Sequence, residues 1–281
     1  MVPYLESPEH SPVIPNKEQN TVKRTLIFLY GAASYLAFLV SFLYAIGFVG
    51  DFAVPKTLDS AATQPWQTAL FVDLGLLSLF ALQHSIMARP AFKRLLTKVI
   101  PEEAERSTYV LAASSALLFM FWQWRPIGGT IWDIQNESAQ WALYTGFVFG
   151  WFLVLTTTFV INHFDLFGLR QVWRQLQNKP KAETKFTTPI IYRVVRHPLY
   201  LGFLIAFWCT PKMTITHLLF AIVTTAYILV AIQFEERDLM AEHPEYASYR
   251  EQVPMIVPGI PRQIAVSPTQ PLAKSTIEGR V

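Results

Sequence analysis

Disulfide bonding is excluded at once, because the 281 residues contain a single cysteine, Cys209, and one thiol cannot close an internal bridge. Compartment therefore cannot be read from cysteine usage, and Cys209 reads as a buried, inert thiol. Charge is scarce as well: Asp, Glu, Lys and Arg make up 15% of the chain, against roughly 25% in an average soluble domain. The formal net charge of +3 is too small to suggest nucleic acid as a partner. Residues 1–20 are polar and rich in proline, without a signal-peptide pattern. Neither an internal repeat nor a separate soluble core can be found. What the chain has instead is apolar length, with 52% hydrophobic residues gathered into long runs.

A helix needs roughly 20 apolar residues to cross a bilayer. Four runs approach this: 25–49, 66–87, 109–124 and 141–162. A fifth unit is an apolar hairpin, 199–209 and 213–233, interrupted at Thr210-Pro211-Lys212. Proline lacks a backbone donor and clashes with the preceding helical turn, so Pro211 marks a reversal. The expected fold is an all-α polytopic membrane bundle of about five spans with a C-terminal helical hairpin.

Basic residues alternate between loops. Lys17, Lys23 and Arg24 precede the first span, Arg89 to Arg106 follow the second, and Arg170 to Arg196 follow the fourth. The intervening loops are close to neutral. The positive-inside tendency puts the N-terminus, the 88–107 and 163–197 loops and the C-terminal segment in the cytoplasm. Trp66, Trp124, Trp132 and Trp141 then fall near the outer boundaries, as an aromatic belt would. The domains expected are a disordered 1–24, a membrane domain at 25–260 and a flexible tail at 261–281. In that tail Ile277-Glu278-Gly279-Arg280 matches a factor Xa cleavage sequence, as an appended tag would.

Two polar clusters flank the hairpin: Arg196-His197-Pro198-Leu199-Tyr200-Leu201-Gly202 and Glu235-Glu236-Arg237-Asp238-Leu239. A reversal at Pro211 returns both to one membrane face, where charged groups are functional candidates by default. The second span ends in Gln83-His84-Ser85 and the fourth in Asn162-His163-Phe164-Asp165, so these join the same polar ring. Asp73 and His217 read as structural. His84, His163 and Glu235 lack the tight spacing of metal ligands, so no metal is expected. Nothing calls for an obligatory protein partner beyond the lipid bilayer.

Arg196-His197-Pro198-x-Tyr200-x-Gly202, the hairpin, Glu235-Glu236-x-x-Leu239 and Tyr246-x-x-Tyr249 together resemble the isoprenylcysteine carboxyl methyltransferase superfamily. That resemblance covers about 185–260. Gln83 to Arg89, His163 to Trp173, Ala206-Phe207-Trp208 and Val253-Pro254-Met255 resemble a thiol-methylating branch of it, over most of 25–260. The resemblance implies an integral membrane enzyme that converts methanethiol into dimethyl sulfide with S-adenosyl-L-methionine, bound in a cytoplasmic pocket. It implies a cofactor site drawn from Tyr192, Arg193, Arg196, His197, Tyr200, Gly202, Glu235, Glu236 and Tyr246.

The chemistry distributes these roles. A guanidinium suits the cofactor carboxylate, with Arg196 first and Arg193 second. Glu235 or Glu236 suits the ribose hydroxyls or the ammonium, and Tyr200, Tyr246 and Tyr249 can pack on adenine or sulfonium. Gly202 would permit a close backbone approach. A thiol needs help to ionise, since even cysteine has a pKa of ~8.5. His163 oriented by Asp165 is one base, His84 is another, and Arg170 could stabilise the thiolate. Rival readings are a methyltransferase for a prenyl-cysteine or lipid substrate, and an NADPH-dependent membrane reductase.

Overall fold

Length and apolarity dictate the main elements of the computed structural model, which describes residues 17–180 and 189–259. The expectations for residues 1–16 and 261–281, and for Lys181 and Lys185, lie outside the described residues. The chain is an all-α integral membrane bundle. Its helices are α1 (Lys17–Gly50), α2 (Trp66–Ala88), α3 (Pro90–Leu96), α4 (Glu105–Gln123), α5 (Glu137–Ile161), α6 (His163–Leu166), α7 (Leu169–Leu176), α8 (Pro198–Trp208), α9 (Ile215–Glu242) and α10 (Tyr246–Gln252). Two short strands, β1 (Thr130–Asp133) and β2 (Lys212–Thr214), pair antiparallel. Helix α1 begins at Lys17, so residues 17–24 extend the first helix.

Among the described residues four helices are long and apolar enough to cross a membrane: Asn20–Gly50 within α1, α2, α5 and α9. The third expected run lies in α4, which is shorter and packs against both α1 and α2. Helix α8 has only 11 residues and lies along α5. Small residues make that contact possible, as at many membrane helix interfaces. A Cβ on Gly202 would stand 2.8 Å from the Gly150 carbonyl oxygen and 2.9 Å from the Val154 nitrogen. The close approach expected of Gly202 is thus made to α5, and helix packing is its reason.

The hairpin reverses as the sequence indicates. Helix α8 stops at Trp208, and the Pro211 carbonyl accepts from Ile134 N–H at 3.0 Å. The Thr214 side chain caps α9 by accepting from His217 N–H. The buried His217 ring bonds Asp59 at 2.9 Å and the Phe207 carbonyl at 2.9 Å, which pins this end to the 51–65 loop. Asp73, fully buried, accepts from Arg125 N–H at 2.9 Å. Both are structural residues of the far end.

Aromatic packing fills the core. Trp124 is fully buried between Phe48 and Phe220, so it belongs to the core and not to the belt in which the sequence placed it. Trp66 and Trp141 are exposed and fit a belt. The opposite end of the bundle gathers the C-terminal ends of α2, α5 and α9 with the N-terminal ends of α4 and α8. Arg89 of α2 reaches Asp238 of α9 at 2.8 Å, and Arg106 of α4 donates to the Leu166 carbonyl at 2.8 Å.

Candidate active site

Residues 195–197 enter this end outside any helix, since a residue before proline is held out of the helical region. The Arg196 and His197 N–H groups donate to the carbonyls of Pro254 (2.9 Å) and Met255 (3.1 Å). Pro198 then opens α8, where its missing N–H costs nothing. His197 and Tyr200 therefore face the last turns of α9 across the hairpin.

The two glutamates on α9 have different circumstances. Glu236 is 2% exposed. Its Oε1 meets Arg196 Nε at 2.8 Å and His197 Nε2 at 3.0 Å, while Oε2 meets Arg250 Nε at 3.1 Å. A buried carboxylate is tolerable only when paired this fully. Glu235, by contrast, has a side chain 45% exposed. One oxygen accepts from the Tyr200 hydroxyl at 2.9 Å and lies 3.9 Å from His197 Nδ1. The His197 and Tyr200 rings lie 5.6 Å apart.

Arg196 is committed elsewhere than the sequence implies. Besides Glu236, its Nη1 donates to the carbonyls of Arg250 and Val253, so it ties α10 and the segment after it to α9. Arg193 lies on an exposed turn nearby. Tyr246 is buried, its ring 5.5 Å from Tyr249, and the Tyr249 hydroxyl donates to the Tyr192 carbonyl at 2.6 Å. Burial pushes the Tyr249 phenol up to about 12, with Arg196 opposing and Glu236 adding. Tyr192 and Tyr246 are raised too, by burial first and then by Glu235 and Glu236 respectively. All three stay protonated near neutral pH.

A second group sits beside the first on α2 and α4. The Tyr109 hydroxyl lies 2.9 Å from His84 Nε2 and 3.1 Å from Nδ1. The Arg106 guanidinium sits 5.5 Å over the Tyr109 ring. Ser85 bonds the Tyr227 hydroxyl at 3.2 Å. That bond sets the end of α2 against α9.

His163, Asp165 and Arg170 are arranged otherwise than expected. His163 is buried, with Nε2 2.8 Å from the Tyr35 hydroxyl and Nδ1 2.8 Å from Thr158 Oγ1, and burial lowers its pKa. Asp165 does not orient it. The carboxylate turns to Arg170 at 2.5 Å, beside an open groove of about 530 Å³ lined by Phe28, Asn162, Phe164, Leu169, Arg170 and Trp173. In a single helical turn, side chains two residues apart point away from each other.

Tyr109, Arg106, Tyr227 and Arg250 are the residues that sequence reasoning missed. A signal existed for three of them: Arg250 follows Tyr246-x-x-Tyr249, and Arg106 and Tyr109 stand three apart on one helix face. Among the described residues no three His, Cys, Asp or Glu side chains stand close enough to share a metal ion.

Comparison with known proteins places this geometry in context. The model of the family described as NnrU protein matches residues 74–250. A methanethiol S-methyltransferase of Crocosphaera subtropica is 54% identical over 240 residues, covering 85% of this chain and 94% of the relative. One of Mycobacterium tuberculosis is 56% identical over 238 residues, covering 84% and 98%. More distantly, nurim of Xenopus laevis is 30% identical over 212 residues, covering 72% of each. No solved structure is similar to the chain.

Proposed function

The chain belongs to the NnrU protein family, with methanethiol S-methyltransferases among its relatives, and we propose that it methylates methanethiol to dimethyl sulfide using S-adenosylmethionine. The observation that supports this reading is the half-exposed Glu235, held by Tyr200, next to the buried and fully paired Glu236. One carboxylate anchors the walls while its neighbour is left to bind.

The residues suit the cofactor in a revised order. Glu235 would accept from the ribose hydroxyls or the ammonium. Arg193, exposed beside the site, would hold the carboxylate by a bidentate contact, since Arg196 is already spent on Glu236 and two carbonyls. Tyr200 and Tyr192 would wall the nucleoside, supported by Tyr246 and Tyr249. When bound, the cofactor supplies an electrophilic methyl on a sulfonium.

The protein has three tasks left: to hold the thiol in line, to exclude water and to accept a proton. Alignment of two reactants can contribute ~7–11 kcal/mol of the barrier. Apolar walls from Phe80 and α9 would keep water from the sulfur. The proton acceptor is a histidine at this end, His84 or His163. The basic loops at this end support a pocket opening to the cytoplasm.

Ligand-induced stabilisation tests the reading. S-adenosylhomocysteine should raise the melting temperature of the detergent-solubilised protein, and NADPH should not. A shift with NADPH alone would replace methyl transfer with reduction.

A further inference from the structure

The groove beside Arg170 takes no part in holding the cofactor, and its walls face outward from the bundle. We propose that it binds one anionic phospholipid, with the headgroup phosphate on Arg170 and an acyl chain along Phe28, Phe164, Leu169 and Trp173. Such a site stands whatever reaction the protein performs.

The residue pattern of α7 shapes the groove. Leu169, Val172, Trp173 and Leu176 recur along one helical face, while Arg170 and Arg174, four apart, share another. Val172 is fully buried in one cluster with Ile27 of α1, so this stripe fastens α7 to the first span. Trp173 is left about half exposed at its edge, with its ring 5.5 Å from Phe28. Phe164 is exposed to the same degree. Open aromatic surface of this kind marks a place where protein meets a partner or a membrane.

Depth selects the membrane. Phe28 lies about two turns inside the span Asn20–Gly50. Across the groove the last turn of α5 leaves Phe159, Val160 and Ile161 exposed, and the chain quits the span at Asn162. The apolar wall therefore continues the lipid-facing sides of α1 and α5. Cations occupy the other rim: Arg170 and Arg174 on α7, and Arg24, one turn nearer the end of α1 than Phe28 and on the same face. Tryptophan favours this boundary. The volume of about 530 Å³ is that of a ligand cleft, roughly 300–1,000 Å³. It can seat a headgroup and the first part of a chain, the remainder running on into the bilayer.

Arg170 supplies the recognition. Its Nη1 holds Asp165 at 2.5 Å, and among the described residues its Nε and Nη2 have no partner. A guanidinium offers five donors in a planar fork, enough to keep the carboxylate and still take a phosphate bidentately. The floor beneath it is already built. The Asn162 side chain accepts from Asp165 N–H, Gln171 Nε2 donates to the Asp165 carbonyl, and Arg106 holds the Leu166 carbonyl. Three arginines against one aspartate leave the rim positive. A zwitterionic headgroup would bring its own cation into that field, so a net negative lipid gains more.

The full-length protein in detergent is titrated with phosphatidylglycerol and with phosphatidylcholine of the same chains, and native mass spectrometry counts the lipid retained. The parent should hold one phosphatidylglycerol with a preference of about fivefold or more, the worth of one cation near a membrane surface. Arg170→Gln should lose that preference and hold both lipids at the weaker level. Trp173→Ala should weaken both lipids alike, because it removes wall and leaves the charge. In bilayers, phosphatidylglycerol brominated near the carboxyl end of its chains should quench the parent's tryptophan fluorescence more than it quenches Trp173→Phe.

Equal retention of the two lipids by the parent overturns the proposal, as does an undiminished preference in Arg170→Gln. Displacement of the lipid by soluble glycerol phosphate would make the groove a site for a free anion, and a lipid-independent dimer that excludes phosphatidylglycerol would make it an interface between copies; either result overturns it. Should Arg170→Gln fail to fold, quenching of the parent that is the same for brominated phosphatidylcholine and phosphatidylglycerol overturns it equally.

Discussion

The Glu236 carboxylate reaches the His197 imidazole at 3.0 Å across 39 positions of chain. Every residue between them belongs to the α8–α9 hairpin, so this contact reports that both legs return to one end of the bundle. With Arg196 and Arg250 also on the carboxylate, the pair locks the hairpin, α10 and the 253–255 segment into one wall.

Glu235 and Glu236 should therefore fail differently when neutralised. Glu236→Ala strands Arg196 and His197 in a buried site, and breaking such a pair costs ~3–5 kcal/mol. The loss is read as a fall in unfolding midpoint in detergent. Glu235→Gln should hold stability within ~0.5 kcal/mol. It should weaken S-adenosylhomocysteine by roughly ten- to a hundredfold, the worth of a charge-assisted hydrogen bond.

Two glycines make a matched pair. Gly202→Ala puts a methyl 2.8 Å from the Gly150 carbonyl, and overpacking of this kind costs ~1–3 kcal/mol. Gly75 of α2 has nothing within 4 Å of the same added atom. Gly75→Ala should be neutral or stabilise by up to ~1 kcal/mol through helix propensity. Thermal denaturation of both variants compares them.

The far end should matter for folding and not for the ligand. Asp59→Ala removes the acceptor of both His217 and Thr214 and leaves buried donors unpaired, at ~1–3 kcal/mol each. Its melting temperature should fall while the S-adenosylhomocysteine dissociation constant stays unchanged.

The pH dependence has two limbs. Tyr249 is raised from its ordinary value of 10.0 to about 12 by burial, so its contribution is complete below pH 10 and is lost as pH climbs toward 12. Tyr192 and Tyr246 act in the same sense. S-adenosylhomocysteine affinity should fall across that window as tyrosinate absorbance appears. His163 is held below its ordinary 6.5 by burial, so its contribution is present above pH 6.5 and is lost on acidification. His163→Gln should flatten the acid limb of stability.

The hairpin and its polar clusters were legible because proline marks the reversal and charge is rare in so apolar a chain. Long apolar runs gave α1, α2, α5 and α9. The division of labour between Glu235 and Glu236 was not legible, because successive helical residues point about 100° apart. Which of them meets Arg196 depends on the rotation of α9. The expected His163–Asp165 pair was a proximity in sequence that a one-turn helix undoes. Arg196 looked free to bind a carboxylate because its carbonyl partners lie more than fifty positions away. Tyr109 is paired to His84 by packing of α2 on α4, which no local pattern encodes.

The most direct measurement supplies the purified protein with methanethiol and S-adenosylmethionine carrying a trideuterated methyl, and analyses the headspace by mass spectrometry. The account predicts dimethyl sulfide with one trideuterated methyl and one ordinary methyl, formed by the parent protein and sharply reduced by Glu235→Gln. Folded protein that releases no labelled dimethyl sulfide, or Glu235→Gln protein that releases as much as the parent, would contradict it.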